Sequence, residues 1–494
     1  MEIRDRYAPS PTGLQHIGGV RTALFNYLFA KSKGGKFILR LEDTDRTRFS
    51  EAYVQNLYDT FSWLGIKWDE GPDIGGPAAP YIQSERTEIY KKYAACLVEK
   101  DRAYYCFCTA ERIEEIRRER EAAHSSLSGY DRHCRIIPKE EAARRAKAGE
   151  AHTVRLKIPL EETTCFRDQI LGDIEWKNSD INPDPVLLKS DGFPTYHLAN
   201  IVDDHLMGIS HVLRAQEWLP STPLHVIIYK SFGWEHPVFC HLPMVNGADG
   251  KKLSKRHGAT SIDEFRLKGY LPEALINYIA LIGASYIEGK DIYTLDELIA
   301  NFSMDKLNKA SGVFDYKKLD WYNGQYIRMK SDEDLSALTL PLAIDAGLFG
   351  GKGKAPNAKE ADLFRAAIPL VKERAVFLKE IPEKLFYLFS EPEIPRAEEF
   401  FPKKMGKEET LELLKKGLPL IAPMAEAPSD GNAEEIIKSW AEKENIKLGD
   451  VMMPLRVAIT GARVSPPLFG SLRLLGAEKS LSRINSAINK LESF

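Results

Sequence analysis

Cysteine is sparse in this chain: six in 494 residues, at 96, 106, 108, 134, 165 and 240. Such spacing makes no disulfide framework and points to a reducing, cytoplasmic setting. No apolar run is long enough to cross a bilayer, so no membrane partner is expected. Met1-Glu2-Ile3-Arg4-Asp5 leads straight into an expected strand, and no secretory signal is expected there. Excess charge is lacking as well, since 68 basic residues against 71 acidic ones leave −3. Nucleic-acid binding would therefore rest on local basic patches. There is no internal repeat. What the chain does have is 44% hydrophobic residues, enough for sizeable cores, and a length that suits about three domains.

Residues 3–8 read as a short buried strand, ended by Pro9-Ser10-Pro11-Thr12-Gly13. His16-Ile17-Gly18-Gly19 follows, and residues 20–29 have helical apolar spacing. A helix starting after such a turn offers unpaired N–H groups and a positive dipole end to an anion. His16 can donate to phosphate, and the glycines would let a nucleotide lie against the backbone. A second strand is expected at 37–41, leading into Glu42-Asp43-Thr44-Asp45-Arg46, with helices at 51–64 and 85–100. Strand–helix alternation predicts a parallel α/β sheet with ligands beyond the carboxyl ends of its strands.

Residues 101–190 break this rhythm and read as an α+β insertion with its own small sheet. The α/β pattern resumes at 185–188 and 194–199 and continues through a helix at 220–232 and a strand at 238–242. A basic, glycine-flanked loop, Gly250 through Gly258, comes next. Residues 260–330 look mostly helical, and from 331 the periodicity is helical throughout, with breaks at 349–356, 391–402 and Ser465-Pro466-Pro467. The expected partition is 1–100 and 191–250 for the two halves of the α/β domain, 101–190 for the insertion, 251–330 for a region with the basic loop, and 331–494 for an all-helical region.

Two strings carry the chemistry. His16-Ile17-Gly18-Gly19 matches the HIGH motif of class I aminoacyl-tRNA synthetases in a glycine-ending form, and Lys252-Leu253-Ser254-Lys255-Arg256 matches their KMSKS motif. Either alone is weak, and a solvated charge run is the plainer reading of the second; in order on a split α/β fold they are specific. The surrounding strings Arg6 to Gly13, Leu41 to Arg46, Thr195 to Ala199, Val202 to His205 and Arg214 to Trp218 resemble bacterial glutamyl-tRNA synthetases over nearly the whole chain. The resemblance implies a Rossmann-type catalytic domain with a parallel sheet, an acceptor-binding insertion and a helical anticodon-binding region. It also implies ATP-dependent ligation of L-glutamate to tRNA(Glu) through a glutamyl-adenylate, with Mg²⁺ accompanying ATP, by a cytoplasmic monomer.

Carried over residue by residue, the resemblance places His16, Gly18, Glu217, Val245, Lys252, Ser254, Lys255 and Arg256 at ATP, with His16, Lys252 and Lys255 catalytic. Cations that meet growing phosphate charge in the transition state lower the barrier. Arg6, Ala8, Ser10, Glu42, Tyr196, Asn200 and Arg214 fall at glutamate. The fork of Arg6 or of Arg214 suits a carboxylate, and Glu42 suits the substrate ammonium. Surface ion pairs and core packing are the plainer readings of these residues.

Cys106, Cys108 and Cys134 suit a structural zinc ion, with Tyr130 as fourth ligand and His133 as the other choice; ordinary free thiols are the alternative. The resemblance makes Arg456 a candidate anticodon reader, against a plain helix-surface arginine. It leaves a branch open, an enzyme that also glutamylates tRNA(Gln). From a different class comes a tRNA-binding protein that kept the fold and lost the chemistry, which predicts damage at His16, Lys252 or Lys255; none is present.

Overall fold

The computed structural model describes residues 2–45, 47–122, 129–181, 184–393 and 396–493, so Arg46 of the acidic string lies outside the described residues. The chain divides into two compact units, Met1–Arg266 with Leu275–Tyr316, and Leu267–Ala274 with Lys317–Phe494.

In the first unit, strand Arg4–Tyr7 pairs in parallel with Lys36–Leu39. On its other side Arg4 and Ser210 exchange hydrogen bonds, Ser210 N–H donating to the Arg4 carbonyl at 2.9 Å. That stitches the first strand beside His211–Ala215, which runs parallel to Val238–Leu242. The connecting helix, Ile17–Ser32, is buried nearly all round, with Ile17, Val20, Leu24, Phe25 and Leu28 inaccessible to solvent. Such a helix has no polar face, so its Asn26 must find partners; the amide donates to the carbonyls of Thr22 and Leu213, tying helix to sheet.

The insertion differs from expectation in one respect. Its strands are divided between two sheets. Ala103–Cys106, Thr153–Leu156 and Val186–Leu188 form an antiparallel trio, so residues 185–188 belong here and not to the resumed α/β pattern. A hairpin of Thr163–Asp168 and Gly172–Lys177 joins the sheet of His211–Ala215 and Val238–Leu242 instead, Asp168 pairing in parallel with Phe239. Local alternation could not reveal this, because the join is a single pair made far away in sequence.

The second unit is helical, as the periodicity predicts. Lys407–Ala425, Asp430–Lys443, Leu448–Thr460 and Leu468–Ser493 enclose a core that includes Leu414, Ile421, Ile437, Leu455, Ile484 and Ile488. Side chains of Ser331, Asn357 and Ser429 cap helices by accepting first-turn N–H groups. The final helix is interrupted at Gly476, whose φ of 78° only glycine adopts without strain.

Candidate active site

Both motif loops lie in the first unit and are joined through the backbone. His16 bridges Ser261, Ile17 N–H donates to the Thr260 carbonyl at 3.0 Å, and Ile262 N–H donates to the Gln15 carbonyl at 3.0 Å. The helix begins at Ile17, earlier than the spacing suggests, because His16 is its N-cap: the ring Nδ1 accepts from Gly19 N–H at 3.2 Å. Two first-turn donors are thereby consumed. Among the described residues the Gly18 N–H keeps no acceptor, so the expected anion cradle narrows to that group and the His16 ring. Nδ1 is bare of hydrogen, which leaves Nε2 as the N–H donor. The imidazole pKa is lowered by desolvation and then by the Lys252 charge, partly offset by Glu217. The glycines serve their own neighbours as well: a Cβ on Gly19 would stand 2.9 Å from the Tyr7 hydroxyl, and one on Gly18 3.2 Å from the His16 ring.

The basic loop returns on strand Val245–Asn246, with Leu253 N–H donating to the Val245 carbonyl at 2.9 Å. Lys252 reaches Glu217, 2.5 Å from Nζ to Oε2, and both are well exposed. Ser254 N–H donates to His257 Nδ1 at 3.1 Å, and His257 Nε2 lies 2.9 Å from Asp249 Oδ1. Arg256 lies 3.5 Å from the same carboxylate. Lys255 is exposed, and among the described residues its ammonium makes no hydrogen bond or salt bridge. Among the described residues, it and the exposed Lys251 are the cations of this loop left unpaired.

The residues expected at the amino acid converge in one network. Arg6 donates to Asp204 from Nε at 3.0 Å and Nη2 at 3.2 Å, and more weakly to Asn200 Oδ1 at 3.5 Å. Asn200 Nδ2 and Arg214 Nη1 each reach the Tyr196 hydroxyl at 3.4 Å. Fully buried Arg40 joins the other end, donating to Asp204 at 2.7 Å, Asn200 at 2.8 Å and Glu42 at 3.0 Å. Burial pushes the Glu42 carboxyl above its ordinary range, and Arg40 only partly restores it. Burial also works to raise Asp204, but Arg6 and Arg40 outweigh it and leave its pKa low. Ala8 and Ser10 sit on the turn beside this network, held by Glu42 N–H donating to the Pro9 carbonyl at 3.0 Å.

Arg214 is different. It is buried, yet among the described residues it forms no salt bridge. Its partners are His241 Nε2 at 3.1 Å, His225 Nδ1 at 3.1 Å and Thr222 Oγ1 at 2.8 Å, with long contacts to the Tyr196 hydroxyl and the Trp218 carbonyl. Burial lowers its pKa. Sequence reasoning left both guanidinium groups open as the carboxylate grip. In the structure Arg6 is already paired with Asp204, whereas Arg214 has no carboxylate partner among the described residues.

Arg40, Asp204, Thr222, His225 and His241 received no role from the sequence. A signal for two of them existed: Asp204 sits in the Val202 to His205 string and Arg40 directly precedes the Leu41 to Arg46 string. The histidines gave none, since a buried imidazole looks like any other apolar-flanked residue until its partners fold against it.

In the insertion, the thiols of Cys106, Cys108 and Cys134 lie within 4.8 Å of one another. Tyr130 is buried beside them, its hydroxyl accepting from Cys134 N–H at 2.7 Å. His133 is not part of the thiol group. Three convergent sulfurs with an adjoining phenol fit a tetrahedral zinc ion. In the second unit, Arg456 Nη1 donates into the turn that follows its helix, to Ser465 Oγ at 3.0 Å and the Pro466 carbonyl at 2.7 Å. It shapes that turn from inside.

Comparison with known proteins follows the same division. The family model of class I tRNA synthetases (E and Q), catalytic domain, matches residues 2–321, and an anticodon binding domain matches residues 334–488. The chain is 57% identical to a glutamate--tRNA ligase of Treponema denticola over 99% of each protein. It is 49% identical to one of Borrelia recurrentis over 100% of this chain and 97% of that one. The solved structure of a glutamate tRNA ligase from Elizabethkingia meningosepticum, in complex with its amino acid, superposes with a TM-score of 0.87 at 36% identity, covering 99% of this chain and 100% of that one.

The histidines behind Arg214 make a pH prediction. Burial, then the Arg214 charge, lowers His197 to about 4. Burial also depresses His225 and His241. An unfolded chain binds these protons first, near pH 6.5. The stabilising contribution of His197 is therefore complete above that pH and is lost as pH falls toward about 4. Carbon-labelled histidine NMR should show the His197 ring titrating at about 4. Titration near its ordinary value would contradict the buried neutral relay.

Proposed function

The chain belongs to the class I tRNA synthetases for glutamate and glutamine, and from that membership we propose that it joins L-glutamate to tRNA(Glu) at the expense of ATP. It is a glutamate-activating ligase that works through a glutamyl-adenylate. The observation that carries the choice of amino acid is the buried Arg214 without a carboxylate partner, set between Tyr196, Asn200 and the Arg6–Asp204 pair. A buried uncompensated cation gains most from an anionic side chain, and two donors of a guanidinium fork grip a carboxylate. Extension to tRNA(Gln) is favoured by nothing in the site, and the relatives compared above carry the glutamate name.

In the proposed first step, Arg214 holds the side-chain carboxylate, Glu42 receives the ammonium, and the α-carboxylate attacks the ATP α-phosphate. ATP enters as its Mg²⁺ complex. His16, through Nε2–H, and Lys255 meet the charge that grows on the phosphate oxygens as diphosphate leaves; Lys252 must first let go of Glu217 to join them. Gly18, Val245, Ser254 and Arg256 border the nucleotide. In the second step the terminal ribose hydroxyl of the tRNA attacks the adenylate carbonyl, the acyl–phosphate bond breaks and AMP leaves, and positioning supplies most of the rate. Residues 101–190 are assigned to the acceptor end and residues 331–494 to the anticodon, with Arg456 supporting the reading turn. The enzyme is assigned to the cytoplasm as a monomer; among the described residues no helix is long and apolar enough to cross a membrane.

Cys106, Cys108, Cys134 and Tyr130 would hold a zinc ion that clamps the insertion and takes no part in the chemistry. Metal analysis of protein purified without chelator should give about one zinc per chain; a value near zero would remove the ion.

Charging assays with glutamate and glutamine on both cognate tRNAs test the whole reading. Glutamate on tRNA(Glu) alone is expected, and charging of glutamine would overturn it. Lys255→Ala should slow adenylate formation about 10²- to 10³-fold with glutamate binding preserved. Unimpaired turnover in that variant would remove Lys255 from the phosphate.

A further inference from the structure

Arg214 is held by acceptors of an unusual kind for a buried guanidinium in this site. Arg6 and Arg40 both lean on Asp204, a full negative charge. Arg214 Nε–H and one Nη1–H go to ring nitrogens of His241 and His225, each 3.1 Å away, and one Nη2–H goes to Thr222 Oγ1 at 2.8 Å. Both rings must be unprotonated at those atoms to accept.

The tautomers are set from behind. His241 Nδ1 lies 2.7 Å from Asp168 Oδ2, so the proton sits on Nδ1 and Nε2 is bare toward Arg214. Asp168 is kept in place by the N–H groups of Ile170, Leu171 and His241, at 2.9 to 3.0 Å. His225 Nε2 lies 3.1 Å from His197 Nδ1, which lets His225 donate outward and keep Nδ1 bare. The Asp168 that performs this service comes from the hairpin which the insertion lends to the catalytic sheet.

Neutral acceptors orient a guanidinium as well as carboxylates do, but they leave its charge in place. A carboxylate in the same position would satisfy Arg214 and repel an acidic substrate. The remaining contacts of the terminal nitrogens, to Tyr196 at 3.4 Å and to the Trp218 carbonyl at 3.5 Å, are long. Each terminal nitrogen thus keeps one weakly engaged donor, the pair that a two-bond carboxylate grip requires.

We propose that Thr222, His225 and His241 form a neutral acceptor cradle that aims Arg214 into the amino-acid pocket and leaves it charged, so that the site selects a carboxylate side chain over a carboxamide. The proposal rests on the reading of Arg214 as the side-chain grip. The cradle residues are positioning residues, and Asp168 acts one step further back by holding His241. Selectivity follows because a carboxamide leaves the buried cation unneutralised, whereas a carboxylate pairs it.

The test uses the full-length enzyme with glutamate and glutamine as competing substrates. His225→Leu and the isosteric Thr222→Val should each raise the glutamate KM about 10- to 100-fold, the size of one lost hydrogen bond to a charged group. With them, kcat and the ATP KM should hold, and the preference for glutamate over glutamine should fall by a similar factor. His225→Asn, which returns an acceptor near the Nδ1 position, should recover most of the loss. If His225→Leu does not fold, Thr222→Val decides. An unmoved glutamate KM in folded variants, or equal losses in kcat and ATP KM, would overturn the cradle. Arg214→Gln separates the two readings: loss of glutamate there alone keeps the grip and discards the cradle, while an unchanged glutamate KM discards the grip itself.

Discussion

Asp204 pairs with two guanidinium groups at once, and the arrangement of the network around it follows from that pairing. Arg6 and Arg40 are buried, and a buried cation without a partner is costly; both reach Asp204, and Arg40 pairs with Glu42 as well. Asp204 stands on helix Tyr196–Leu206, Arg6 on the first strand, and Arg40 just beyond the second. Three elements distant in sequence are thereby held in one register. Asp203, beside it, does the same for Arg86 and accepts from Gln83 and Tyr90. With those charges balanced, Arg214 is left as the pocket's unspent positive charge.

The two motif loops are joined by a different device. The turn at His16 and the segment at Thr260 and Ser261 share a short backbone ladder, so the loop carrying Lys255 is tethered next to the helix start. Within that tether the cations have unequal freedom. Lys252 is engaged by Glu217 and Arg256 stands near Asp249, while Lys255 is open. Sequence similarity treats the string as one motif; the folded loop divides its labour.

Much of this was legible beforehand, for physical reasons that differ from residue to residue. Helix Glu51–Leu64 and strand Val238–Leu242 were read at their true ends, because local apolar periodicity and flanking breakers suffice for such elements. The pocket residues Arg6, Glu42, Tyr196, Asn200 and Arg214 were named by motif and do meet. What could not be read was which arginine is already paired, since that depends on Asp204 arriving from another element. The start of the first helix was missed because a histidine cap lies outside the usual Ser, Thr, Asp and Asn signal. The hairpin that joins the catalytic sheet through Asp168 and Phe239, and the imidazoles it braces, rest on long-range pairings that no local pattern encodes.

The central claim is that Arg214, and not Arg6, receives the side chain of the substrate. A crystal structure of this enzyme with bound L-glutamate tests it most directly. The side-chain carboxylate is expected within hydrogen-bond distance of both terminal nitrogens of Arg214, with Arg6 still on Asp204 and the Arg214 contacts to His225 and His241 intact. A side-chain carboxylate seated on Arg6 instead, with Arg214 unengaged, would contradict it.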